Sequence, residues 1–149
     1  MSVDMQRVWL TEQTLDRVRI ELARLQMERA TGSHRGQNDP EHRELRIRHL
    51  HELIQNAAVG HEPPDDGVAE PGMVLTVRYE AADVSETFLF ADREEETTLG
   101  EDLPICSPHS PLGAALSGAG QGERRDYRIP GGETMTVTLV KAVPYRGHR

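Results

Sequence analysis

The sequence predicts an α+β protein, with an N-terminal antiparallel helical hairpin (a short coiled coil) followed by a C-terminal antiparallel β domain carrying one short helix. Three observations lead there. Two N-terminal runs repeat apolar residues at alternating three- and four-residue spacing. A Pro/Asp-rich stretch without periodicity follows, HEPPDDGVAEP. Beyond it, β-branched and aromatic runs are separated by turn residues. The predicted parts are 1–60 for the hairpin, 61–71 for a linker and 72–149 for the β domain.

In the first run, Leu15, Val18, Leu22 and Leu25 form the seam of a helix that packs against a single partner. Thr11 is a candidate N-cap, and Glu12 and Asp16 suit the positive end of the helix dipole. Gly32 and Gly36 break the pattern. The second run, Ile47, Leu50, Ile54 and Ala57, opens on Asp39-Pro40-Glu41, which places a capping acid, a first-position proline and a first-turn acid in order. Gly60 ends it. A helix of about 20 residues extends roughly 30 Å.

Strands are predicted at Met73–Tyr79 and Thr87–Ala91, with a short one ending near Cys106. The charged stretch Asp92-Arg93-Glu94-Glu95-Glu96 between them reads as a solvated turn. A short helix around Pro111–Ser117 precedes the strands Arg124–Ile129 and Thr134–Val143. Pro130-Gly131-Gly132 is a strong turn signal between that last pair.

Composition narrows the function classes. The formal charge is −8, with −1 in residues 1–62 and −7 in 63–149. An acidic body repels a phosphate backbone, so sequence-independent duplex binding is disfavoured, and specific DNA binding is not expected. A protein partner, or a site accepting acidic groups, fits better. No run approaches the roughly 20 apolar residues of a bilayer span, and Met1 to Leu10 lacks a signal-peptide core. One cysteine, Cys106, excludes an internal disulfide framework and fits a reducing, cytoplasmic setting. His49 and His51 stand two apart on a helix and point apart, so they do not chelate together. No cofactor of its own and no resident metal are expected, and a monomer is. Ser107 and Ser110 have only His109 nearby, which does not make a hydrolase triad.

Residues 107–143, SPHSPLGAALSGAGQGERRDYRIPGGETMTVTLVKAV, resemble the C-terminal part of the Gre transcript-cleavage-factor family and its Rnk-type relatives. The shared features are the Ser-Pro, the small-residue helix ending in Ala-Leu, the Gly-containing turn, the Pro-Gly-Gly and the final strand. RIRHLHELIQNAAV and LTEQTLDRVRIELARL resemble the family's two hairpin helices, so the likeness covers nearly the whole chain. It implies an FKBP-like β domain that docks on the rim of the secondary channel of bacterial RNA polymerase, with the hairpin entering the channel. On the matching motif, Ser110, Pro111, Leu112 and Ala115 become the candidate docking residues, while Leu116 belongs to the core.

The resemblance also implies acidic residues at the hairpin tip, helping to hold a second Mg²⁺ in the polymerase's active centre. The candidates are Asp39, Glu41 and Glu44. Two close carboxylates on a rigid arm suffice for that task. Each has a structural role to weigh against it: Asp39 as a cap, Glu41 on the dipole, Glu44 paired with Arg48 four residues on. The tip GSHRGQNDPEHRE departs from the family's Gly-Asp-Leu-x-Glu-Asn pattern. His34, Arg35 and Arg43 add cations, and the hairpin looks shorter than in the cleavage factors. The expected function is therefore a regulator that binds polymerase and modulates elongation or initiation. Genuine cleavage stimulation is the alternative. A peptidyl-prolyl isomerase or a generic adaptor is a lesser one. No enzymatic activity of its own is expected.

Overall fold

The computed structural model describes residues 8–32, 40–59, 63–99 and 103–145. The chain divides into two compact units, Met1–Gly60 and His61–Arg149.

The first unit is built on two helices. α1 spans Glu12–Thr31 and α2 spans Pro40–Asn56. Thr11 caps α1: its backbone is extended and its hydroxyl accepts from the Thr14 N–H at 3.2 Å, satisfying one of the orphan donors of the first turn. Gly32 ends the helix at φ 71°, a left-handed conformation that costs glycine little. The seam consists of Val18, Leu22 and Leu25 facing Ile47, Leu50 and Leu53. Three expected seam positions shift, one of them Ile54, which is only partly buried while Leu53 takes its place in the seam. Thr14 is fully buried and Leu15 only half so. At the far end the helix stops at Asn56, and Ala57, expected on the helical seam, lies in a strand.

That strand, β2 (Ala57–Val59), runs parallel to β1 (Val8–Leu10), with Trp9 opposite Ala58. The two-stranded closure at the base of the hairpin was not expected, because three-residue strands carry too short a pattern to register. Ion pairs join the helices higher up: Arg46 donates from Nε and Nη2 to the two Glu21 oxygens, each at 2.9 Å. Arg29 of α1 meets Glu44 of α2 at 3.0 Å.

The second unit is a five-stranded sheet in the order β5-β4-β3-β7-β6. Its strands are β3 (Met73–Tyr79), β4 (Val84–Phe90), β5 (Ile105–Cys106), β6 (Arg124–Arg128) and β7 (Thr134–Pro144). All neighbours are antiparallel except β4 and β5, which are parallel. Alternation in β3 buries Met73, Leu75 and Val77 on one face, together with Phe88, Phe90, Val137 and Leu139 from the flanking strands. The register of β3 on β7 shifts between Thr76 and Val77, so a bulge lets Leu139 and Ala142 both reach that core.

Two short helices complete the unit, where one was expected: α3 (Glu95–Leu99) and α4 (Pro111–Leu116). The solvated-turn reading of Asp92–Glu96 fails at Glu95. Asp92 caps the segment, its carboxylate accepting from the Glu94 N–H at 2.9 Å, and Glu95 then begins α3 fully buried. The Pro130-Gly131-Gly132 turn forms as expected, with Gly132 at φ 93° and the Ile129 N–H donating to the Glu133 carbonyl across it.

Candidate functional site

The Ser-Pro motif folds into a tightly held helix start. Ser110 is the N-cap of α4, with Pro111 following at the first helical position, where its missing N–H is no loss. The Ser110 hydroxyl accepts from the Gly113 N–H at 3.0 Å and donates to the Ser107 carbonyl at 2.7 Å. Cys106 Sγ stands 3.6 Å from the same hydroxyl. Burial pushes the Cys106 thiol up from its ordinary pKa, partly offset by the Ser110 contact, so this cysteine is a poor nucleophile.

Gly113 explains why the helix sits so low on the preceding loop. A Cβ built there would lie 1.9 Å from the Ser107 carbonyl oxygen and 2.8 Å from its carbon, which is backbone that cannot swing away. At the other end Arg125 donates to the Ala115 carbonyl at 3.0 Å and is itself held by Glu123 at 2.8 Å. Glu123 also accepts from the Gly120 N–H, and that bond, with Arg125, holds its carboxyl below the usual range. The helix is thus clamped at both ends, leaving Pro111 and Ala114 exposed, Ala115 partly so, and Leu116 in the core. Leu112 is half-buried against that core. Ser110, Pro111, Leu112 and Ala115 therefore share one rigid turn-and-a-half of helix.

Beside α4 lies a pocket of about 340 Å³. Phe88, Pro104, Ile105, Cys106 and Leu112 supply its apolar walls, Ser107 and Ser110 its polar side, and Glu86, Arg93 and Glu96 its charges. Glu86 is steadied by the Tyr79 hydroxyl, which donates to it at 2.6 Å. Phe88 is the one aromatic residue in this lining, and it is only 2% exposed. The walls therefore lack the aromatic cradle that an isomerase needs to hold a proline ring. Neither this pocket nor the Arg125 clamp was foreseen. Both join strands and loops far apart in sequence, and Glu86 lay outside the predicted strand Thr87–Ala91, whereas β4 starts at Val84 and its two-residue period puts Glu86 on the face of Phe88.

At the tip, Asp39 falls outside the described residues. Glu41 is exposed in the first turn of α2, and Glu44 follows three residues later on the same side of the helix. Glu44 does not use Arg48, as expected from the i+4 spacing, but crosses to Arg29. Among the described residues no group of three or more His, Cys, Asp or Glu could hold a metal ion. Mg²⁺ is ordinarily bound through one or two carboxylates, with waters and substrate oxygens completing its six-coordinate shell, so two carboxylates could contribute to a shared site without forming a cage of their own.

Comparison with known proteins is consistent along the chain. Residues 64–144 match the family model described as transcription elongation factor, GreA/GreB, C-terminal. A transcription elongation factor GreA of Saccharopolyspora erythraea is 44% identical, the match covering 95% of this chain and 98% of the relative. The chain belongs to the GreA/GreB family. Another member, the GreA of Mycolicibacterium vanbaalenii, is 40% identical over 97% of this chain and 99% of its own. Among solved structures, GreA factor homolog 1 (Gfh1) of Thermus thermophilus aligns over 91% of this chain at 20% identity, with a TM-score of 0.41. As a Gre-family member, the chain is a transcription factor and not an enzyme in its own right. The Saccharopolyspora alignment runs over 160 residues, more than the 149 of this chain, so that relative carries residues without a counterpart here. No helix among the described residues is long and apolar enough to cross a membrane.

Proposed function

We propose that this Gre-family protein is an elongation factor that binds cytoplasmic RNA polymerase and stimulates the polymerase's own cleavage of backtracked RNA. The observation that carries the reading is the 44% identity to a GreA elongation factor, sustained over nearly the full length of both chains. In this reading the β unit docks through Ser110, Pro111, Leu112 and Ala115, a surface stiffened by the Ser110 cap and the Arg125 clamp. The hairpin brings Asp39, Glu41 and Glu44 to the polymerase's active centre. A Mg²⁺ shared there with the polymerase would activate water for attack on the RNA phosphodiester. The protein's own part is to supply carboxylate oxygens on a stiff arm.

The Arg29–Glu44 pair favours a second reading, in which the arm occupies the channel and regulates without cleavage. An acid already neutralised by an arginine is a weaker metal ligand, and releasing it costs the pair.

One experiment separates them. Polymerase halted in a backtracked complex is mixed with the purified protein and the transcript length is followed. Shortening, lost in the Glu41→Ala variant, supports cleavage stimulation. Unchanged transcripts with retained binding support channel occupancy alone. Binding itself is tested by Pro111→Ala and Leu112→Asp, either of which should weaken the complex, and full binding by both rules out this docking surface.

A further inference from the structure

We infer that the pocket beside α4 receives a long basic side chain, lysine or arginine, projecting from the protein on which this domain docks. The inference rests on the docking reading above and adds to it a specific point of recognition.

The size of the cavity admits such an occupant. At about 340 Å³ it lies at the lower end of the ~300–1,000 Å³ typical of ligand sites, ample for one extended side chain. Its chemistry limits the occupant. The inner walls, Phe88, Ile105, Cys106 and Leu112, are apolar and suit an aliphatic stem. Glu86 and Glu96 contribute two carboxylates against the one guanidinium of Arg93, so the lining carries a net negative charge. The domain around it is acidic as well, with −7 in residues 63–149. A greasy stem ending in a cation matches both features, because lysine and arginine bury their methylenes along apolar surface while the head stays with acids or water. An acidic side chain would meet repulsion, and a plain aliphatic one would leave the carboxylates unused.

Position ties the pocket to docking. Ser110 and Leu112 belong at once to its lining and to the candidate docking helix. A partner lying along α4 therefore borders the pocket. Glu86 is the better-placed acid, since the Tyr79 hydrogen bond fixes its carboxylate and leaves an oxygen for the incoming cation.

The test uses the full-length protein with RNA polymerase. Glu86→Gln combined with Glu96→Gln removes both charges and little volume, and the amide oxygen that replaces the Glu86 carboxylate can still accept from Tyr79. Affinity of this double variant at low salt should fall about tenfold, the scale of two part-exposed ion pairs. The salt dependence of binding should flatten as well. Cys106, the only cysteine in the chain, reports on occupancy directly. Its alkylation should slow when polymerase is bound, and that protection should weaken in the double variant. The single Glu96→Gln variant, at an exposed helix position, guards against misfolding and should show part of each effect.

Wild-type affinity and salt dependence in the double variant would overturn the inference, as would Cys106 alkylated equally fast in free and bound protein. Pro111→Ala, at an exposed position of α4 outside the pocket lining, distinguishes the two levels of failure. If it weakens binding while the double variant binds normally, docking through α4 stands and the basic occupant falls. If neither variant affects binding, the docking reading falls with it.

Discussion

Replacing Gly113 by alanine puts two physical effects in opposition, and the structure decides which wins. Helix propensity alone favours alanine by about 1 kcal/mol at a helical position. Packing opposes it: the new methyl would stand 1.9 Å from the Ser107 carbonyl oxygen and 3.0 Å from Pro108 Cα. Overpacking commonly costs about 1–3 kcal/mol, and the upper end applies because the obstacle is main chain. Relief would require α4 to lift, stretching the Ser110–Ser107 and Ser110–Gly113 hydrogen bonds. A net loss of about 2 kcal/mol is expected, or a fall in Tm of roughly 8–16 °C for a domain of this size. Thermal and urea unfolding followed by far-UV circular dichroism measures it. Ala114→Gly, at an exposed position of the same helix, is the control and should lose about 1 kcal/mol through propensity alone. A Gly113→Ala protein as stable as the wild type, or more so, would refute the reasoning.

Three further outcomes follow from the geometry. Leu50→Ala, fully buried in the hairpin seam, should destabilise the first unit by about 3 kcal/mol, read from hydrogen exchange of α1 and α2 amides. Ser110→Ala removes the cap and its bond to Ser107, and should cost about 1 kcal/mol while weakening polymerase binding more than Thr11→Ala does, as equilibrium titrations would show. Glu123, whose carboxyl is held low by Gly120 and Arg125, contributes stability that is present above its unfolded pKa of about 4.3. That contribution disappears as pH falls through the lower folded value, so the stability gap between wild type and Glu123→Gln should close on acidification, checked by urea midpoints at several pH values.

Much of the architecture was legible without coordinates because it rests on local periodicity. The seam residues Val18, Leu22, Leu25, Ile47 and Leu50 repeat every three or four positions, and that repeat forces a helix with one buried stripe. Met73 to Tyr79 alternates, which forces a strand with one buried face. Ser110-Pro111 wrote its helix start in the two residues that cap and begin a helix best. The errors share a cause. Ala57 has an apolar side chain in helical phase, yet β1 offers it a strand partner that no local window contains. Glu95 belongs to a run of acids that reads as solvent-facing, yet the chain buries it. Glu44 has Arg48 at ideal helical spacing, yet the neighbouring helix brings Arg29.

By itself, then, the order of residues determined the two kinds of secondary structure, their boundaries to within a few residues, and a family motif specific enough to name the class. Those depend on interactions reaching only three or four residues along the chain. Tertiary structure alone decided that Glu86, Phe88, Arg93 and Glu96 meet the Pro104–Leu112 segment around one pocket, and that Arg125 reaches back to hold α4. Such groupings depend on strand register and on where loops return. A single residue's shift in register turns a side chain to the opposite face of the sheet.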